Sequence, residues 1–66
     1  MKYNVGDVFV DIRSEERRTI TVIDTHEDEK GAIIYYSVLI EPDNKENIFS
    51  SYYLNYQVDK HVFIHQ

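Results

Sequence analysis

The residues of this chain whose types and spacing could support chemistry include two histidines close to the C-terminus. His61 and His65 form an H-x3-H pattern, which on a helix would bring both imidazoles to one metal ion. Residues 62–64 are Val, Phe and Ile, which favour a strand, and on a strand the two rings would lie about 13 Å apart. A zinc site also needs three or four convergent ligands. The sequence therefore predicts no metal site.

Other catalytic arrangements are equally hard to build from these residues. Asp7 and Asp11 share a strand face, but about 13 Å would separate them, beyond the usual spacing of glycosidase carboxylates. The chain has no cysteine, no G-x-S-x-G motif and no histidine tied to Ser50 or Ser51. Its two glycines form no phosphate-binding motif. We expect a protein that is not an enzyme and uses no cofactor.

Tyrosines are the least ordinary feature of the composition, with six in 66 residues. The alternation of apolar residues places only Tyr36 inside with certainty. Tyrosine is favoured at interfaces because a large apolar ring ends in a hydroxyl that forms hydrogen bonds. Two interpretations stay open: the rings form an aromatic binding patch, or they complete the core with their hydroxyls in water. The candidate partner-binding residues are Tyr35, Tyr52, Tyr53, Tyr56 and Phe63.

Basic residues are few and scattered, since seven Lys and Arg stand against twelve Asp and Glu for a net charge of -5. Only Arg13, Arg17 and Arg18 approach a cluster, and Glu15 and Glu16 lie among them. Nucleic-acid binding normally requires concentrated positive charge, so it is disfavoured as a general property. Two alternatives remain: these arginines and the tyrosines bind single-stranded nucleic acid, or the acidic residues mimic nucleic acid and occupy another protein's site.

The elements that would position these residues are short strands separated by polar turns. Strands are predicted at residues 3–12, 18–26, 32–41, 45–50 and 56–64, with one 3₁₀ turn near residues 51–54. Ile23 interrupts the alternation of the second strand, and Gly31 suits a turn with positive φ. No apolar pattern of helical period persists for three turns. The sequence predicts an all-β fold, a single five-stranded barrel domain over residues 1–66.

The opening residues 5–10, Val-Gly-Asp-Val-Phe-Val, resemble the first strand of SH3-like barrels, including KOW-type modules. The resemblance continues through a polar loop, three meandering strands, a turn at residues 51–54 and a closing strand. The chain lacks the tryptophan and the Ala-Leu-Tyr-Asp-Tyr motif of SH3 domains that bind proline-rich peptides, so that specificity is not implied. It is acidic where RNA-binding KOW modules are basic. In size and style it is similar to small accessory proteins of bacteria and their phages.

These observations favour a protein-binding module with an aromatic, acidic surface. The expected partner is another protein, and a second copy of the chain is one candidate. No apolar run approaches the roughly 20 residues of a membrane-spanning helix, and no signal peptide is recognisable at the N-terminus. We therefore expect a soluble, cytoplasmic protein with no membrane partner.

Overall fold

Residues 2–66 are described by a computed structural model, in which five strands form one antiparallel sheet. The strands are β1 (Val8–Asp11), β2 (Thr19–Glu27), β3 (Ile33–Glu41), β4 (Lys45–Ser50) and β5 (Phe63–His65), and one helix, α1 (Ser51–Asp59), lies between the last two. The order across the sheet is β4-β3-β2-β1-β5. The predicted all-β class is confirmed in its coarse form, a mostly β chain with five antiparallel strands. Within residues 2–66 the sheet is not closed, since β4 and β5 form its two edges.

The hairpin between β2 and β3 is fixed by one carboxylate and one glycine. Asp28 Oδ1 accepts hydrogen bonds from the backbone N–H groups of Lys30 and Ala32, at 2.8 and 3.0 Å. Gly31 has φ of +82°, a conformation that costs glycine little because it has no Cβ. The predicted positive φ at this turn is confirmed.

The pairing of β2 with β3 shifts register twice, between His26 and Glu27 and, in the middle of β2, at the residue that interrupts its alternation. Val22 pairs with Val38, but Asp24 pairs with Ser37, so Ile23 has no partner on β3. An unpaired residue of this kind is a β-bulge, which bends the strand and puts two successive residues, Ile23 and Asp24, on the exposed side. Val22 and Val38, the last pair before the bulge, are buried, while Ile23 is exposed.

The segment after β4 differs from the prediction in kind. The expected 3₁₀ turn at residues 51–54 is wrong, because the chain forms the nine-residue helix α1 there. Ser50 caps this helix, its Oγ accepting a hydrogen bond from the Tyr53 N–H at 3.0 Å. The predicted fifth strand at residues 56–64 is wrong in its bounds for the same reason: α1 occupies its first half, and β5 begins only at Phe63.

One apolar core lies between the sheet and the helix. α1 contributes Leu54, β3 contributes Tyr36 and Val38, and α1 therefore covers the face of the sheet on which these two residues lie. In β1 the residue that points into the core is Phe9, and Ile12, directly after this strand, is exposed. Among residues 2–66 the buried apolar residues are Tyr3, Phe9, Ile20, Val22, Tyr36, Val38, Leu54 and Phe63.

Candidate functional site

Two of the six tyrosines belong to the core. The Tyr3 backbone N–H donates a hydrogen bond to the Tyr36 hydroxyl at 3.1 Å, which attaches the N-terminal segment to β3. The Tyr3 ring meets Phe9 edge to face, with centroids 4.9 Å apart. Burial raises the pKa of the Tyr3 hydroxyl. The prediction for Tyr36 is confirmed, and Tyr3 joins it as a buried residue that the sequence pattern did not place.

Tyr53 and Phe63 also pack inward. Their rings lie with centroids 6.1 Å apart, and both contact Phe49 of β4. Phe63 is only 2% exposed, and Tyr53 is half-buried. These two candidate partner-binding residues therefore join α1 to the two edge strands, and the structure places the Phe63 ring in the core.

Tyr52 and Tyr56 form an exposed pair on the outer side of α1. They are one helical turn apart, and their rings stack with centroids 6.1 Å apart. Tyr52 is 78% exposed, and the Lys60 ammonium group lies 5.6 Å from the Tyr56 ring centroid. Stacking and the lysine contact give this pair a defined arrangement without covering it.

Tyr35 lies on the opposite side of the sheet from this pair. Successive strand residues point to opposite faces, and Tyr36 points into the core that α1 covers. Tyr35, 48% exposed, therefore projects from the uncovered side. The structure does not bring Tyr35 together with Tyr52 or Tyr56 in one surface.

An open apolar groove of about 300 Å³ surrounds Tyr35, and His26 of β2 and Ile48 of β4 form its other walls. Ile48 is 61% exposed. The His26 Nε2 atom lies 2.8 Å from Ser37 Oγ, a hydrogen bond that holds the imidazole beside the groove. Three neighbouring strands thus each supply one wall.

The groove belongs to a larger surface, which we call the outer face. Its residues on β2, β3 and β4 are those that the strand register places on the side of Tyr35: Thr19, Thr21, Asp24, His26, Tyr35, Ser37, Leu39, Glu41, Glu46, Ile48 and Ser50. On these three strands the outer face carries three carboxylates, those of Asp24, Glu41 and Glu46, and no Lys or Arg. It is therefore apolar at the groove and negative around it.

The arginine cluster of the loop after β1 does not form a free positive patch. Arg13 makes two side-chain hydrogen bonds to Asp11, both 3.1 Å long, and its guanidinium lies 5.7 Å from the Phe63 ring centroid. Arg18 approaches Glu16 at 4.0 Å and Asp43 at 3.6 Å. Arg17 has φ of +53° and is exposed. Two of the three candidate nucleic-acid contacts thus face carboxylates of their own chain.

The contact between Arg13 and Asp11 leads to a pH-dependent prediction. Burial alone would raise the pKa of Asp11, but hydrogen bonds from the Arg13 side chain and backbone outweigh it and lower this pKa. A carboxylate whose pKa is lower in the folded chain stabilises the fold above its unfolded-state pKa, about 4, and ceases to do so as pH falls through its folded-state value. We expect Asp11→Asn to reduce the free energy of unfolding by about 1 kcal/mol at neutral pH.

Urea unfolding measured at neutral pH and at about pH 3 checks this expectation. The difference between Asp11→Asn and the unchanged chain should shrink at the lower pH, because the carboxylate is then increasingly protonated in both states. Glu15→Gln, a substitution in the same exposed loop, is the control and should have little effect. A difference that persists or widens in acid would contradict the role given to the Asp11 carboxylate.

The histidines near the C-terminus do not converge on a common centre. His65 stacks on Phe9 with centroids 4.8 Å apart, and its Nε2 lies 3.7 Å from Asp7. Among residues 2–66 no three His, Asp or Glu side chains gather as metal ligands would. The same part of the chain contains no helix long and apolar enough to cross a membrane.

Comparisons of this chain with protein-family models, with curated proteins and with solved structures found no significant match. The site must therefore be interpreted from its own residues. Sequence reasoning found Tyr35 but missed His26 and Ile48, its neighbours in the groove. The sequence signal that could have found them is the register between strands. When β2, β3 and β4 are aligned through their turns, His26, Tyr35 and Ile48 fall on one face of the sheet.

Proposed function

We propose that the chain is a non-enzymatic protein-binding module whose outer face docks on a partner protein. The observation that carries this proposal is the groove lined by His26, Tyr35 and Ile48. A tyrosine and an exposed aliphatic residue beside a concavity are the combination from which the buried centre of an interface is built. Asp24 and Glu46 would then lie at the polar rim.

The scaffold we propose for this module is a small SH3-like barrel. Its support is the order of elements, with a polar loop after β1, a meander of β2, β3 and β4, a helical segment, and a closing strand that pairs with β1. These are the features on which the resemblance rests. Barrel closure would require the edges at β4 and β5 to curl towards each other, and α1, which contacts both strands, lies where it would bridge them.

The hydrogen bond between His26 and Ser37 lacks the surroundings that a catalytic serine requires. A serine nucleophile needs a histidine oriented by a third group and two free N–H groups that stabilise an oxyanion. Ser37 lies in the middle of β3, a central strand whose backbone groups pair with β2 and β4. The Asp24 carboxylate, on the same face, accepts its hydrogen bond from the Thr25 backbone instead.

A protein partner is favoured over nucleic acid by the electrostatics of the described residues. Binding to phosphates depends on positive side chains that release counterions. Arg13 and Arg18 both contact carboxylates, and Tyr52 and Tyr56, which are suited to stacking on bases, lie across the sheet from the groove. The observations therefore favour the apolar groove as the binding surface.

Affinity capture from cells that produce the protein tests this proposal. We expect the partner retained by the unchanged chain to be lost, at least tenfold, with the double substitution Tyr35→Ser and Ile48→Asp, because truncating central interface residues costs about 2 kcal/mol or more. Both positions are exposed, so far-ultraviolet circular dichroism should show an unchanged fold.

Tyr52→Ala combined with Tyr56→Ala is the matched control, since it removes two exposed rings from the other side of the molecule. This variant should retain the partner. Retention by the Tyr35/Ile48 variant, or loss with the Tyr52/Tyr56 variant, would place the binding surface elsewhere and contradict the proposal.

A further inference from the structure

We propose that the outer face takes an extended, basic segment of its partner, which adds as a sixth strand along the free edge of β4. This inference rests on the proposed function, because the same groove supplies the side-chain contacts. It adds to that proposal the conformation of the bound segment, its charge and the backbone that pairs with it.

The free edge is the first observation behind this inference. β4 ends the sheet on one side, and no described residue pairs with it beyond β3. Its six residues offer an edge about 20 Å long, whereas β5 at the opposite end has three residues. An edge strand presents unpaired N–H and C=O groups to which another chain can bond.

One backbone group at the centre of this edge is satisfied by a side chain. The Ile48 N–H donates to Asn47 Oδ1 at 2.8 Å. On an edge strand, where no second strand is present on one side, a backbone N–H can be satisfied by a neighbouring side chain in this way. The hydrogen bond can be exchanged for one to an incoming carbonyl at little cost in free energy, because the number of hydrogen bonds is conserved.

Proximity of the groove to this edge is the second observation. Ile48 belongs to β4 itself and forms one wall of the groove. A strand added to β4 would lie about 4.8 Å away, and its side chain opposite Ile48 would reach the same apolar surface. Backbone pairing and side-chain burial would therefore occur together, as in other cases of strand addition.

The negative charge of the outer face indicates that the segment bound there is basic. On β2, β3 and β4 the outer face has Asp24, Glu41 and Glu46 but no Lys or Arg, and the chain as a whole carries a net charge of -5. Opposite charges placed directly across two strands attract, and like charges repel. A segment with Lys or Arg beside its central apolar residue complements this face. A second copy of the chain would instead bring another acidic face.

A peptide titration followed by amide NMR spectra of the intact chain tests the inference. The probe is the capped peptide Lys-Thr-Ile-Thr-Lys-Thr, which as a strand presents its two lysines and its isoleucine on one face. We expect saturable shifts centred on the amides of β4, and binding about tenfold tighter than that of Glu-Thr-Ile-Thr-Glu-Thr. The basic peptide methylated on every backbone nitrogen should not bind, since it cannot donate the pairing hydrogen bonds.

Glu46→Lys is the matched protein variant and should reverse the preference between the two peptides. The inference is overturned if about 1 mM basic peptide causes no shift, if both peptides bind equally, if the methylated peptide still binds, or if the shifts centre on α1. It is also overturned if β4 amides shift with protein concentration alone, which would show that a second copy covers the edge. If the inference is overturned in any of these ways but partner capture still depends on Tyr35 and Ile48, the proposed function stands. If capture is unaffected by substitution of those two residues, the proposed function and the inference are both wrong.

Discussion

Phe63→Ala should reduce the free energy of unfolding by about 3–5 kcal/mol, the usual cost of truncating a buried phenylalanine. The ring is 2% exposed and contacts Phe49 of β4 and Tyr53 of α1. Removing it leaves a cavity where the helix meets both edge strands. A domain of this length has roughly 3–10 kcal/mol of stability in total, so this loss removes a large part of it.

Urea unfolding followed by circular dichroism measures this loss. Ile64→Ala is the matched control, since Ile64 is the next residue of β5 and is 38% exposed. It should cost less than about 1 kcal/mol. If Phe63→Ala unfolds at the same urea concentration as the unchanged chain, Phe63 contributes little to the core and becomes eligible again as a partner-binding residue.

Leu54→Ala should reduce the free energy of unfolding by about 2–5 kcal/mol and release α1 before the sheet unfolds. Leu54 is the buried residue of this helix, and it packs in the same cluster as Tyr36 and Val38. An isolated helix of nine residues is unstable in water, because nucleation is costly and few backbone hydrogen bonds follow it. Tertiary contacts of Leu54 therefore hold the segment in its helical form.

Amide hydrogen exchange tests this directly, since it reports opening of α1 separately from opening of the strands. In Leu54→Ala the amides of α1 should exchange faster than those of β2 and β3. Tyr52→Ala is the control, because Tyr52 is exposed and alanine is the better helix former, so α1 should keep its protection. Equal acceleration across helix and sheet would show that α1 and the sheet unfold as one unit.

Strands could be predicted wherever the sequence alternates between two well-marked turns. β2 and β3 were placed within a residue or so, and the bounds of β4 are those predicted. Ile23, the residue that disturbed the alternation, is the bulge. Period-two patterning is a local signal, which is why it survives without knowledge of the partner strand.

The helix could not be predicted, for reasons that lie in its own residues. Residues 51–59 read Ser-Tyr-Tyr-Leu-Asn-Tyr-Gln-Val-Asp, which combine strand-favouring tyrosines with a single buried position. A pattern needs two or three apolar repeats before its period can be recognised. Here tertiary packing around Leu54 overrides local preference, and the prediction of a strand over the following residues was wrong as a consequence.

The sequence also did not show which side chains of the short strands β1 and β5 point into the core. Both have apolar residues on both sides, and in each the single phenylalanine points into the core. Val8 and Val10 beside Phe9 are half-buried, and Ile64 beside Phe63 is exposed. Similarly, the six tyrosines could be counted but not assigned. Two lie in the core, one is half-buried, and three are exposed on two separate surfaces. Those assignments depend on contacts between residues far apart in the chain.

Ser50 is both the last residue of β4 and the N-cap residue of α1. Sliding β4 by one residue along β3 would turn every one of its side chains to the wrong face. It would also pull the Ser50 Oγ away from the Tyr53 N–H and draw Leu54 out of the core. The helix therefore sets the alignment of a strand that has only one neighbour to guide it, so the edge is held in one register while remaining open.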